Sequence, residues 1–181
     1  MTREEALDLM HSQVANKNLR KHMLATEAVM KALAKHFNES EEIWGLAGLL
    51  HDLDYDQTVN DFPKHGLISA EILEKKDIPK EVIYAIKSHP GHFPRKSRLD
   101  KALYAVDPIT GLIVAAALMH PTKKLKSVDV DFIERRFKEK RFAAGADRNQ
   151  IQSCEEMGLS LNEFIGLSLK VMQEIDTELG L

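Results

Sequence analysis

The sequence predicts an all-α protein folded as one compact helical bundle. Apolar residues recur every three or four positions along most of the 181 residues. Alternation with a period of two is hard to find, and capping signals and prolines divide the chain into segments of helical length. The length fits one domain with its own core better than two.

Taken in order, Thr2 followed by Glu5 forms a capping box that opens a first short helix. A second helix is expected from Asn18 to Asn38, with Leu19, Met23, Val29, Met30, Leu33 and Phe37 as its apolar stripe. A third is expected from Glu41 to Leu53, and Ile43, Trp44, Ala47, Leu50 and Leu53 mark it as buried. Pro63 suits the first turn of a fourth helix through Ile68, Ile72 and Leu73. Pro79 opens a fifth, with Val82, Ile83 and Ile86 on one face, that ends before Pro90. The stretch from Leu99 to His120 is the most apolar and is expected to cross the centre of the domain. Pro108 should kink or break it, because proline lacks the backbone donor and clashes with the preceding turn. After a loop from Pro121 to Ser127 come a charged amphipathic helix, Val130 to Phe142, and two closing helices. Ser160 with Glu163 repeats the capping box before the last. No repeat or linker divides the chain, so residues 1–181 read as one domain, with a core over 18–120 and a helical extension over 121–181.

Hydrophobic residues make up 44% and charged residues 29%, the balance of a soluble globular protein. The net charge of -3 argues against a general attraction to nucleic acid or to an anionic membrane. Arg135, Arg136, Lys138, Lys140 and Arg141 alternate with Glu134 and Glu139, as on a solvated helix face. The apolar run from Ile109 to Met119 falls short of the ~20 residues a membrane span needs. Residues Met1 to Glu5 carry no apolar core of a signal peptide, and Cys154 has no partner for a disulfide. A reducing cytoplasm is the expected location.

The histidines and aspartates are placed to do chemistry. His22 shares a helical face with Thr26, Val29 and Leu33, and His51 shares one with Trp44, Ala47 and Gly48. Asp52 follows at the end of that buried helix. His65 falls in the first turn of the fourth helix in line with Ile68 and Ile72, and His89 ends the fifth in line with Val82 and Ile86. Asp107 interrupts the apolar run between Val106 and Pro108. Any one histidine alone reads more readily as structural, and His11, His36 and His120 are read so. Four histidines and two aspartates pointing into one interior from five helices do not. A buried carboxylate needs a partner or a metal, and imidazole with carboxylate suits one or two ions of Mn, Fe, Co, Ni or Zn, with Mg also admitted.

The order His, His-Asp, His, His, Asp is carried by Lys21-His22-Met23, Ala47-Gly48-Leu49-Leu50-His51-Asp52, Lys64-His65-Gly66, Lys87-Ser88-His89 and Ala105-Val106-Asp107. Over residues 18–120 this resembles the HD-domain superfamily of metal-dependent phosphohydrolases. The resemblance implies an orthogonal helical bundle with its metal site in the middle. It implies that His22, His51, Asp52 and Asp107 hold one ion, and that His65 and His89 hold a second that Asp52 bridges. The pattern is also similar to the HDIG-like bacterial branch that splits symmetrical dinucleoside polyphosphates. The Gly-Tyr-Pro signature of the cyclic-di-nucleotide phosphodiesterases is absent, and the residues after the pair are Leu53-Asp54-Tyr55-Asp56, without a lysine.

The expected reaction is hydrolysis of a phosphoester or phosphoanhydride in a nucleotide or other small phosphorylated metabolite, by metal-activated water. Asp52 is expected to fix the metal and position that water, with Asp56 one turn on as the candidate base. Lys64, Arg95, Lys96 and Arg98 are the cations expected at the substrate phosphates, and His92 an acid or further ligand at the rim. A di-iron oxygenase and a non-catalytic HD-fold signalling module are the alternatives; iron content with oxygen uptake, and failure to bind metal, would mark them. A homo-oligomer is compatible with the sequence.

Overall fold

The computed structural model describes residues Met1–Leu181, and they form helices and turns with no strand. Helix α1 (Arg3–Gln13) starts on the expected capping box: Thr2 Oγ1 accepts the Glu5 N–H at 3.2 Å and the Glu5 carboxylate accepts the Thr2 N–H at 2.7 Å. Asn16 caps α2 (Lys17–Phe37), which ends at Asn38 in the left-handed region. Ser40 caps α3 (Glu41–Leu50), every residue of which is buried from Trp44 onward.

The chain leaves the helix at His51, three residues before the expected end. The Asp54 N–H donates to Ser69 Oγ at 3.0 Å instead of to a helical carbonyl, and a turn over residues 51–54 leads into the short α4 (Tyr55–Thr58). Pro63 sits in a separate 3₁₀ turn, Phe62–Lys64, and not in the first turn of the next helix. Gly66, at φ 77°, ends that turn and admits α5 (Leu67–Leu73), so His65 lies on the connection between the two. Then follow α6 (Lys80–Ser88) and the central α7 (Arg98–Met119), capped by Ser97 and Asp100.

Pro108 does not break α7. Its ring removes the donor that the Tyr104 carbonyl would have received, and Gln150 Nε2 donates to that carbonyl instead, at 2.8 Å. Length and a mean hydropathy of 1.8 would let α7 cross a membrane by composition, but 61% of its most apolar 18 residues are buried inside the molecule, as in a core helix. It packs against α2, α6, α8 (Val130–Lys138) and α9 (Arg148–Gln152). Helix α8 stops short of the expected Phe142, since the carbonyls from Phe137 onward turn to the Arg148 guanidinium. A 3₁₀ turn (Ser153–Met157), α10 (Leu161–Glu174) on the expected Ser160–Glu163 box and a short α11 (Asp176–Leu179) complete the chain.

One cluster of 46 buried apolar residues runs from Ala6 to Leu179. Each fully buried Leu, Ile or Met contributes roughly 1.5–3 kcal/mol relative to an exposed one. Two details fix how α2 meets α3. A Cβ on Gly48 would fall 2.9 Å from the backbone of Glu27, so only glycine permits this approach. Beside it the buried Glu27 carboxylate takes both Arg3 (2.6 and 2.9 Å) and Lys31 (2.5 Å), which neutralises a charge the core could not otherwise hold.

Candidate metal centre

The close approach of α2 to α3 brings His22 and His51 together, with their Nε2 atoms 3.2 Å apart. His51 caps α3 and turns its Nδ1–H onto the Gly48 carbonyl at 2.8 Å. The same arrangement recurs on α6, where His89 Nδ1 donates to the Ile86 carbonyl at 2.7 Å. His65 meets His89 with Nε2 atoms 3.1 Å apart. A Cβ on Gly66 would come within 2.7 Å of the Ile86 carbonyl, so the Lys64-His65-Gly66 segment reaches α6 only because residue 66 is glycine.

Asp52 stands between the two pairs. Its Oδ2 lies 3.6 Å from His22 Nε2 and 3.4 Å from His51 Nε2. Its Oδ1 lies 3.3 Å from His65 Nε2 and 3.5 Å from His89 Nε2, and is a buried oxygen with no hydrogen-bond partner. Asp107 completes the first set, with Oδ1 3.2 Å from His22 Nε2 and 3.8 Å from His51 Nε2. All six expected ligands therefore converge. His51, His65, His89 and Asp52 are buried, whereas the side chains of His22 and Asp107 keep 22% and 29% of their surface, which opens that half of the centre to solvent.

The donor chemistry fits a divalent metal. Each imidazole has its Nδ1 engaged: His51 and His89 with carbonyls, His65 with Asp54 Oδ1 at 2.9 Å, and His22 with Thr110 Oγ1 at 2.9 Å. Thr110 Oγ1 donates onward to the Asp107 carbonyl at 3.0 Å, which leaves it to accept from His22. All four Nε2 lone pairs then face inward. Two such lone pairs about 3 Å apart repel unless a proton or a cation sits between them, and ligand atoms about 2.0–2.2 Å from a shared ion are spaced in this way. Charges follow suit. Burial opposes ionisation of Asp52, but His51, His65 and His89 outweigh it and hold the carboxyl well below the usual range. Burial likewise opposes a charge on Asp107, and His22 and His51 overcome it. Burial pushes His89 down, while His51 is held up by Asp52 and Asp107 against its own burial.

Beyond these six, the structure disperses the expected site. Asp56 is exposed and accepts the backbone N–H groups of Ala15 and Asn16 at 3.1 and 3.4 Å; with α3 ended at Leu50, it falls on a different turn and faces the α1–α2 connection instead of the centre. Lys64 pairs with Asp61 at 2.5 Å, Arg95 with Glu156 at 2.6 Å and Arg98 with Glu39 at 3.0 Å. Lys96 lies 4.8 Å over the Tyr84 ring. His92 donates from Nε2 to the Phe62 carbonyl at 3.0 Å. None of the four cations lines the cleft of about 420 Å³ above Asp52 and Asp107.

That cleft is walled by Leu19, Tyr55, Pro108, Gly111 and the small-residue run Ala143-Ala144-Gly145-Ala146. Arg148 holds this run in place, since its guanidinium donates to the carbonyls of Phe137 (3.1 Å), Ala143 (2.9 Å), Ala146 (2.5 Å) and Phe142. Sequence reasoning did not anticipate Asp54, Thr110 or Arg148. Asp54 had a signal, a second carboxylate two residues after Asp52 and followed by an aromatic. Arg148 had none.

Comparison with known proteins agrees with this geometry. The family model described as HD domain matches residues 19–117, just over half of the chain. The chain belongs to the HD domain family, a family of metal-dependent hydrolases. Among curated proteins it is 27% identical over 157 residues to a Ribonuclease Y of Sulfurovum sp. (strain NBC37-1), covering 85% of this chain and 31% of the relative. It is 26% identical over 167 residues to a Ribonuclease Y of Desulfotalea psychrophila, covering 90% of this chain and 32% of the relative. The chain thus spans about a third of the length of these relatives. No solved structure gives a significant match. The name ribonuclease runs against the exclusion of nucleic acid drawn from net charge.

Proposed function

We propose that this chain is a phosphohydrolase that uses two divalent ions, held by His22, His51, Asp52 and Asp107 and by His65, His89 and Asp52, to hydrolyse a phosphoester of a nucleotide-type substrate. The observation that carries this reading is the position of Asp52, whose two oxygens each face a different pair of lone-pair-bearing imidazoles. Bound ions would supply a water acidified towards a pKa of about 7 and a Lewis acid for the phosphoryl oxygen. Asp52 holds both ligand sets in one register. Gly48 O, Ile86 O, Asp54 and Thr110 fix the ring tautomers, so no histidine has to reorient when substrate arrives. The partly exposed side chains of His22 and Asp107 lie at the floor of the cleft, where a phosphate would reach them. The ribonuclease relatives favour a phosphodiester between ribonucleotides as the bond that is cut.

The test is elemental analysis of the purified chain, followed by phosphomonoester, phosphodiester and pyrophosphate substrates with Mn, Co, Ni or Mg. Bound transition metal and turnover are expected in the wild type. Both should fall by at least ~100-fold in Asp52→Ala and His51→Ala. Hydrolysis that survives Asp52→Ala would overturn the reading.

A further inference from the structure

Of the six large hydrophobic residues exposed on this molecule, four (Tyr55, Val59, Phe62 and Phe93) lie on the segments that surround His65. Five of the seven phenylalanines pack in or against the core, whereas Phe62 and Phe93 do not, at 56% and 40% exposed. Tyr55 and Phe62 flank the His65 ring, with centroids 5.4 and 5.8 Å from it, and His92 meets Phe62 edge-on at 5.3 Å. Tyr55 also lines the cleft above Asp52 and Asp107. The Phe62 backbone is fixed, since its carbonyl accepts both the His65 N–H and His92 Nε2 at 3.0 Å, and Pro63 follows it.

We propose that Tyr55, Phe62 and His92 form a stacking rim that receives an unpaired nucleobase of the substrate while its phosphate sits in the cleft. The inference rests on the phosphohydrolase reading and names the group that phosphate carries. The faces of these rings left in water add nothing to the fold, yet stacking on a base is worth roughly 1–3 kcal/mol and tolerates any base. The rim brings no free cation with it, since Lys64 is committed to Asp61. It therefore reads the flat face of a base rather than a second phosphate. A rigid platform also spares the ordering cost of a flexible loop.

The test is binding by fluorescence anisotropy to the full chain, with chelator present so that bound metal is removed and cleavage does not enter. The probes are a labelled four-residue adenylate strand and an abasic strand of equal length with the same label. The wild type should bind the adenylate strand at least ~10-fold more tightly. Phe62→Leu and Tyr55→Leu should each remove about tenfold of that preference, and Phe62→Tyr should keep it. Both positions are exposed, so the variants should melt with the wild type. Adenosine monophosphate that competes as well as unlabelled strand assigns the base to a nucleotide; weaker competition assigns it to a polymer. Equal binding of the two strands by the wild type, or an undiminished preference in Phe62→Leu, overturns the rim. Absence of hydrolysis of every phosphoester overturns the phosphohydrolase reading instead, and the two failures are told apart.

Discussion

Asp54 Oδ1 lies 2.9 Å from Nδ1 of His65, so a carboxylate buried two residues after Asp52 aims an imidazole back at Asp52. The other Asp54 oxygen accepts the Ser69 N–H at 2.9 Å, which leaves the group no freedom to swing away. A carboxylate behind a metal-ligating histidine raises its basicity and fixes its tautomer. In Asp54→Asn the shape is kept and the charge is lost. Metal affinity at the His65–His89 half should fall about 10- to 100-fold, with helical circular dichroism unchanged. Unaltered metal stoichiometry and affinity in a calorimetric titration would refute this role.

The acid–base state of His65 predicts a pH dependence with a definite sign. Burial opposes its protonation, but Asp52 and Asp54 prevail and raise it from 6.5 to about 10. A group raised on folding stabilises fully below its unfolded pKa and loses that contribution as pH climbs through the folded one. Metal-free protein should therefore melt at a lower temperature at pH 10 than at pH 7. Metal takes the neutral ring, so metal affinity should rise over the same window, by up to about tenfold per pH unit for each proton displaced. Scanning calorimetry with and without chelator checks both directions. A flat melting temperature in chelator, or metal affinity that falls as pH rises, contradicts them.

Gly48 and Gly66 are sites where one methyl group should reach the metal centre. In Gly48→Ala the new carbon meets the backbone of Thr26 and Glu27, and α2 must move away from α3. Overpacking of this kind costs about 1–3 kcal/mol. It also pulls His22 from His51, so urea midpoint and metal affinity should drop together. A stability loss with metal binding intact would show that the two helices carry their ligands independently.

Gln150 and Pro108 should be energetically coupled. Gln150→Ala leaves the Tyr104 carbonyl without its donor and should cost about 1 kcal/mol. In a Pro108→Ala background the restored N–H at residue 108 takes that carbonyl, and the same change should cost close to nothing. A double-mutant cycle with no interaction energy would rule this account out.

Much of the fold could be read from local chemistry. The capping boxes at Thr2–Glu5 and Ser160–Glu163 stand where the pattern puts them, since both partners lie within four residues of each other. The six inward-facing His and Asp residues converge as helical spacing implied. What local pattern could not carry depended on distant partners. The end of α3 is decided by Ser69 and the continuity of α7 by Gln150, 15 and 46 residues away along the chain, whereas the cleft wall is gathered by Arg148 from carbonyls with no side-chain pattern to announce it. Asp56 faces the α1–α2 connection for the same reason, because the turn that Ser69 draws out ends the helical register at Leu50.

The Arg148 clamp has a consequence for where the working unit ends. The matched family segment stops at residue 117, and all six candidate ligands lie inside it, yet one wall of the cleft is supplied by residues 143–146. A fragment trimmed to that segment would keep the six His and Asp side chains and lose that wall. On the proposed function, swapping the stretch from Lys138 to Arg148 between relatives would change substrate preference and leave the six His and Asp side chains in place.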